Sequence, residues 1–266
     1  MSGADEDALG ELYARARAHE DRGEIDAARA LFQQCLELDP ADHCGVTMRL
    51  AGHGLASPAV APPAYIATLF SQQADMFDEI LVARLGYDVP ALARRLVGTH
   101  TEGPLRMLDL GCGTGLAGLA FSDLCPDIIG VDLAEGILAH ADAREVYGDL
   151  YIAEAVNFMA EWDEDPFDLI VAADVLPYLG DLAPFVAGAF GCLKPGGLLV
   201  ASTEKGHRPW AVTSTQRFAH AADYVETTLA SAGLRTLATE PITVRLEEGA
   251  PVAGDLFLAR RDKPSR

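Results

Sequence analysis

MLDLGCGTGLAGLAF, residues 107–121, passes from a short apolar run through three alternating glycines into a second apolar run. RMLDL is strand-length and apolar without strict alternation, as a strand covered on both faces requires. Gly111, Gly113 and Gly115 permit a tight turn and the close approach of a ligand. A helix starting near Gly115 directs its free N–H groups toward that turn. Further apolar runs follow at DIIGVDL (127–133), LYIAEA (150–155), FDLIVAA (167–173), GGLLVASTE (196–204), 234–245 and 253–260. Helix-length patterns separate most of them. The spacing predicts a doubly wound α/β fold with a seven-stranded, mostly parallel sheet. EEGAPVAG between the last two runs is too short for a crossover helix, so the last strand should pair antiparallel at the sheet edge.

Upstream the periodicity is helical. ALGELYARARAHEDRG (8–23) and EIDAARALFQQCLELDP (24–40) each carry one apolar face, Gly23 breaks the first and Pro40 closes the second. The pair resembles a tetratricopeptide repeat, a helical hairpin of about 34 residues, with Gly23, Ala28, Phe32 and Pro40 at matching positions. Ala16 and His19 depart from that pattern, and a second copy is absent. One repeat cannot build the long groove of an array, so a surface appendage or a dimer contact is expected. AGHGLASPAVAPPA (51–64) reads as a linker. Ile66, Leu69, Phe70, Ala74 and Phe77 then recur at helical spacing, a second helix should end near Leu85–Gly86, and Pro90 should open a third. The expected divisions are a helical hairpin (1–50), a linker and helical lid segment (51–100), and the sheet domain (101–266).

Composition narrows the classes of partner. The 266 residues carry a formal net charge of −20, which repels nucleic-acid phosphates and anionic membranes. Five widely spaced cysteines offer no CxxC pair and no Cys/His cluster, so neither a disulfide framework nor a metal site is indicated. No run is long and apolar enough to span a bilayer and the N-terminus has no apolar signal region, so cytoplasmic residence is expected.

Asp109 precedes the glycines, and Asp132 ends the second strand, where a carboxylate can accept both hydroxyls of a ribose. The two acids mark a crevice for an adenosine-containing cofactor. Asp109 beside a pyrophosphate would be a like-charge contact, whereas S-adenosylmethionine brings an α-ammonium and a sulfonium. The sequence therefore favours that cofactor over a dinucleotide.

DLGCGTG, GVDLAEGIL, PFDLIVAADVLPYLGDL and LKPGGLLVAST, in this order, resemble the motif series of class I S-adenosylmethionine-dependent methyltransferases over about residues 100–260. With the hairpin, YIATLFSQQADMFDEILVARLGY, RFAHAADYVETTLASAGL and VRLEEGAPVAGDL, the chain resembles bacterial methyltransferases that carry an N-terminal tetratricopeptide segment. The resemblance implies that Asp109, Gly111, Cys112, Gly113 and Gly115 surround the methionine part. It places Asp132 on the ribose, Leu133 on the adenine, Glu154 and Ala155 at the adenine amino group, and Ala173 and Asp174 beside the methyl-transfer region. Tyr65, Phe70 and Gln73 fall in the segment that covers the cofactor in such folds, although the aromatics also suit ordinary core positions. S-adenosylhomocysteine would be the product.

Methyl transfer needs in-line geometry and desolvation, with a base only where the acceptor must lose a proton. Asp174, after the fourth strand, is the leading carboxylate, with a loop-stabilising role as its alternative. Tyr178 and His220 are the other catalytic candidates, each equally readable as packing. Tyr178, His207, Trp210, Arg217 and His220 are candidates for acceptor binding, with pairing to an acidic neighbour as the alternative for Arg217, and KGHRPWAVTSTQRF is expected to act as a lid. The expected activity is methylation of an O or N atom of a small molecule, as in secondary metabolism. The alternatives are a protein methyltransferase, or a cofactor-binding assembly protein without turnover. A homodimer through the hairpin is left open.

Overall fold

The computed structural model describes residues 3–73 and 85–263. The five apolar runs from Arg106 onward become β1 (Arg106–Leu110), β2 (Asp127–Asp132), β3 (Asp149–Ile152), β4 (Phe167–Ala172) and β5 (Leu193–Lys205). They lie in the order β3-β2-β1-β4-β5, each pair parallel. The order reverses between β1 and β4, which opens a crevice at their carboxyl ends. A short ribbon follows, β6 (Trp210–Val212) and β7 (Phe218–His220), and then two long strands, β8 (Leu234–Glu247) and β9 (Ala250–Arg261). Glu248 and Gly249 join β8 to β9, both with positive φ, as a tight two-residue hairpin demands. β9 runs antiparallel between β5 and β8. The antiparallel final strand is therefore as expected, while the sheet has nine strands among the described residues rather than seven.

The two additional strands come from the segment read as a lid. Glu204 near the end of β5 pairs with Gly254 of β9 on one flank and with Ala219 of β7 on the other. The second flank is the one that β4 leaves at Ala172, opposite Ala201. The ribbon thus extends the sheet over the end of β4 instead of hanging free above it.

Alternate residues of the strands feed two cores. Leu108, Leu110, Ile170 and Leu199 pack against α8 (Ala155–Glu161), α9 (Ala183–Cys192) and α10 (Ala222–Ser231). Met107, Leu169, Val171 and Val200 pack against α5 (Val89–Gly98), opened by Pro90, and α6 (Leu116–Phe121). α7 (Glu135–Asp142) links β2 to β3. No helix among the described residues is long and apolar enough to cross a membrane.

The hairpin comprises α1 (Gly3–Asp21) and α2 (Ile25–Leu38), whose facing residues Leu9, Ala16, Ala28, Phe32 and Cys35 are buried together. Asp42 then starts α3 (Val46–Gly52) by accepting from Val46 N at 2.7 Å and Thr47 N at 2.8 Å. α3 belongs to two cores. Val46 and Leu50 complete the hairpin, while Met48 is buried with Ala61, Tyr178 and Phe218. The hairpin is consequently built into the sheet domain and is not an appendage. The segment read as a linker is bound as well: Ala61 N donates to Tyr178 O at 2.9 Å and Gly180 N to Ala59 O at 2.8 Å. α4 (Pro63–Gln73) follows it. The helix expected to end near Leu85–Gly86, with Ala74 and Phe77, lies largely outside the described residues.

Gly45 and Gly23 both have positive φ, but only Gly45 lies against a neighbour, where a Cβ would fall 2.5 Å from the Tyr65 ring. Gly23→Ala should cost about 1 kcal/mol from backbone strain alone. Gly45→Ala should cost at least twice that in chemical denaturation, because Tyr65 must move. Equal losses would show that α3 is not tightly seated.

Candidate functional site

A crevice of about 850 Å³, its mouth included, opens at the carboxyl ends of β1, β2 and β4. One half is organised by Asp132. Its Oδ2 accepts from Gly113 N and its Oδ1 from Ala134 N, each at 2.9 Å. Burial pushes this carboxyl group up from its ordinary pKa, and the backbone donors pull it back. Gly111 and Gly113 line the crevice with φ of 62° and 55°, and a Cβ on Gly111 would come within 2.4 Å of Val175. Leu133, Glu154 and Ala155 complete this half. The Glu154 carboxylate also caps α8, accepting from Val156 N at 3.0 Å and Asn157 N at 2.8 Å.

The other half is apolar and aromatic, lined by Ile66 and Phe70 of α4 and by Tyr87 and Tyr178. Phe70 meets Tyr178 edge-on at 5.6 Å. Asp174 is its carboxylate, 28 % exposed, with Oδ1 accepting from Arg217 Nη2 at 2.5 Å. Burial pushes the Asp174 carboxyl up in pKa and the Arg217 charge draws it down. Arg217 also donates to the Tyr178 hydroxyl at 2.6 Å, stacks over the Tyr178 ring at 4.9 Å, and pairs with Glu204. Glu204 accepts in addition from Arg245 of β8 at 2.5 Å.

Several expected site residues lie behind the walls. Asp109 is buried and accepts from the Tyr147 hydroxyl at 2.7 Å. Cys112 is buried, its N–H bonded to Val131 O, and Gly115 begins α6. Ala173 accepts from the Ser202 hydroxyl through its carbonyl. Tyr65 lies against Gly45, away from the crevice lining. Gln73 ends α4, and its side chain lies outside those described. On the ribbon side, His207 is exposed, and Trp210 packs on Tyr224 and against Gly180. Arg217 is committed to Asp174, Tyr178 and Glu204, so it supports the crevice wall where a substrate clamp had been expected. His220 requires the same correction. It is 0 % exposed, its Nε2 contacts the Leu179 and Gly180 carbonyls, and burial pushes its pKa down. Such a ring braces the turn at Tyr178 and does not reach the crevice as a base. The sequence reading omitted Tyr87, the Val60–Ala61 strap and Tyr147: the last two arrive from segments with no motif of their own, and Tyr87 stands at the end of the quoted entry segment without a pattern that marks it.

Among the described residues, no three His, Cys, Asp or Glu side chains gather as a metal site would require. Residues 108–199 match the family model of a methyltransferase domain, and residues 9–51 match that of a tetratricopeptide repeat. The chain is a class I methyltransferase-fold protein with an N-terminal tetratricopeptide repeat. The chain is 36 % identical over 100 residues to a ubiquinone biosynthesis O-methyltransferase of Bradyrhizobium sp. (strain ORS 278), covering 37 % of this chain and 40 % of the relative. The chain spans 38–66 % of the length of eight such curated relatives. The fold is shared with the 1,6-didemethyltoxoflavin-N1-methyltransferase of Burkholderia thailandensis, whose structure holds 1,6-didemethyltoxoflavin and S-adenosylhomocysteine. That match has TM-score 0.59 and 20 % identity, covering 78 % of this chain and 93 % of that one. The [4+2]-cyclase SpnF has the same fold at TM-score 0.63 and 18 % identity, covering 78 % of this chain and all of its own.

In this methyltransferase domain the cluster around Glu204 should be a stability determinant. Arg217→Met strands Asp174 and leaves Glu204 with one arginine, and should cost about 3 kcal/mol in urea unfolding. Arg217→Lys should recover part of it. A loss below about 1 kcal/mol would mean that Arg245 alone satisfies Glu204.

Proposed function

We propose that this chain transfers a methyl group from S-adenosylmethionine to an O or N atom of a small molecule. The observation that carries the reading is one crevice with Asp132 at one end and Asp174, against apolar walls, at the other. The residues fit the cofactor: Asp132 has free acceptor sites for a ribose, Gly111 and Gly113 admit a chain close to the backbone, and Asp109 keeps a buried oxygen without a partner. When bound, S-adenosylmethionine supplies an electrophilic methyl group on a sulfonium, and S-adenosylhomocysteine is the product.

The chain's own residues do the rest. Ile66, Phe70, Tyr87 and Tyr178 exclude water from the path between donor and acceptor. Asp174 Oδ2, free while Oδ1 is held by Arg217, takes the hydrogen bond and then the proton of an acceptor O–H or N–H. Tyr178, fixed by Arg217 and Phe70, sets the acceptor's orientation. The net charge of −20 favours a neutral or cationic acceptor over a nucleic acid. Residues 1–50 form the repeat, 51–100 the covering segment and 101–266 the transferase domain in this reading.

Calorimetric titration with S-adenosylhomocysteine, and with NADH in parallel, tests the donor site. Micromolar binding of the first alone is expected, and NADH binding alone would overturn the reading. Asp132→Ala should weaken S-adenosylhomocysteine at least tenfold through two lost ribose hydrogen bonds, with the protein still folded but less stable because Gly113 N and Ala134 N lose their acceptor. Unaltered affinity would remove Asp132 from the ribose. With an acceptor in hand, Asp174→Asn should lower kcat about a hundredfold or more while sparing cofactor affinity. Binding without turnover on any acceptor would favour an assembly role on the same scaffold.

A further inference from the structure

Arg217 divides what other arginines of this molecule keep together. Arg22, Arg94 and Arg235 each grip one carboxylate, those of Glu24, Asp123 and Asp262, through the fork of Nε and Nη2. That bidentate pairing is the strong form of an arginine–carboxylate contact. On Arg217 the same two nitrogens go to different acids, Nε to Glu204 Oε1 and Nη2 to Asp174 Oδ1, while Nη1 donates to the Tyr178 hydroxyl.

The cause stands on β8. Arg245 Nη1 donates at 2.5 Å to Glu204 Oε1, the same oxygen that Arg217 Nε uses. Successive side chains of a regular strand point to opposite faces. Val244 nevertheless packs in the core with Val200, and Arg245 reaches Glu204, four residues from Val200 on the same face of β5. The β8–β9 register shifts between Thr243 and Arg245, and such a bulge re-aims a side chain. Here it turns Arg245 to Glu204. Leu246 N, donating to Leu85 O at 2.6 Å, and Glu247, accepting from Arg245 Nη2 at 3.1 Å, hold it there.

We propose that Arg245 is a positioning residue for the acceptor site: by occupying Glu204 it prevents that carboxylate from taking the whole fork of Arg217, and so keeps Arg217 Nη2 on Asp174. This rests on the reading of Asp174 as the group that takes the acceptor's proton. The carboxylate of Glu204 is 5 % exposed and that of Asp174 28 %, so Glu204 has the greater need of a cation. Without Arg245, the fork of Arg217 closes on Glu204 as it does on Glu24, Asp123 and Asp262 elsewhere, and Asp174 loses its donor.

The charged and titratable groups around Asp174 are Arg217 of the ribbon, Arg245 of β8, Glu204 of β5, Tyr178 after β4 and Tyr87 before α5. Both arginines favour its ionised form, so loss of either moves its titration to higher pH. A competition for Arg217 differs from a plain charge effect in one respect: it needs Glu204.

The test is the titration of Asp174, followed through the NMR signals of carbon-13-labelled aspartate carboxyl groups and assigned with Asp174→Asn. The wild type, Arg245→Met, Glu204→Gln and the double variant form a cycle. In the wild-type background, Arg245→Met should move the Asp174 midpoint to higher pH, because Asp174 loses the Arg217 donor together with the charge of Arg245. In the Glu204→Gln background no carboxylate competes for Arg217, so the same substitution should move the midpoint less than about half as far. Arg245→Lys should hold the midpoint closer to the wild type than Arg245→Met does. Equal shifts in the two backgrounds mean that Arg245 acts by charge alone and overturn the proposal, as does a midpoint that Arg245→Met leaves in place. Should Arg245→Met not fold, Arg245→Gln, which leaves Glu204 an amide donor, takes its place in the cycle with the same expectations. The cycle requires no acceptor. Full turnover by Asp174→Asn would remove Asp174 as the base, and failure of S-adenosylhomocysteine to bind the wild type would remove the cofactor assignment, each without changing what the cycle reports on Arg217.

Discussion

The Asp174 half of the crevice is organised by one buried carboxylate shared between two arginines. Glu204 takes Arg217 from the ribbon and Arg245 from β8, and Arg217 continues to Asp174 and Tyr178 in the crevice wall. Charges this deeply placed are tolerated only when each meets a partner, so the strands that carry them are confined to one arrangement. The ribbon must pair with the flank of β5 that β4 vacates, or Arg217 cannot reach both Glu204 and Asp174. The Asp174 carboxylate thus owes its position to a ribbon strand that contributes little else to the crevice.

The helical repeat enters the same arrangement from the opposite side. α3 is the point of exchange, with Val46 and Leu50 turned to the hairpin and Met48 turned to Tyr178 and Phe218. Arg49 anchors it to the hairpin through Tyr13 at 2.8 Å and Glu20 at 2.9 Å. The strap from Ala59 to Ala61 then pairs with the turn that carries Tyr178 and delivers Val60 and Ala61 to the crevice. A single repeat has no groove of its own. Here its physical work is to complete a wall, which explains why one copy suffices.

The Asp132 half has a different logic: Asp132 is held by backbone N–H groups and Asp109 by a phenol. Arg217 stands in the other half, paired with Asp174.

Much of this was legible from residue order. Strand-length apolar runs, the glycine turn, Asp132 after the second strand and the short link before the last strand determine a parallel sheet with an antiparallel close, because those features act over a few residues and depend on local chain geometry. Gly111, Gly113, Leu133, Glu154 and Asp174 reach the crevice for the same reason, since each stands at the end of a strand whose direction the pattern already implies. What tertiary structure alone decided is which long side chains find one another. His220 turns to two carbonyls and Arg217 to three side chains, Tyr147 seats itself on three glycines, and a supposed linker becomes a strap. These outcomes rest on the burial of charge and shape between segments far apart in sequence, where no local periodicity records the partner.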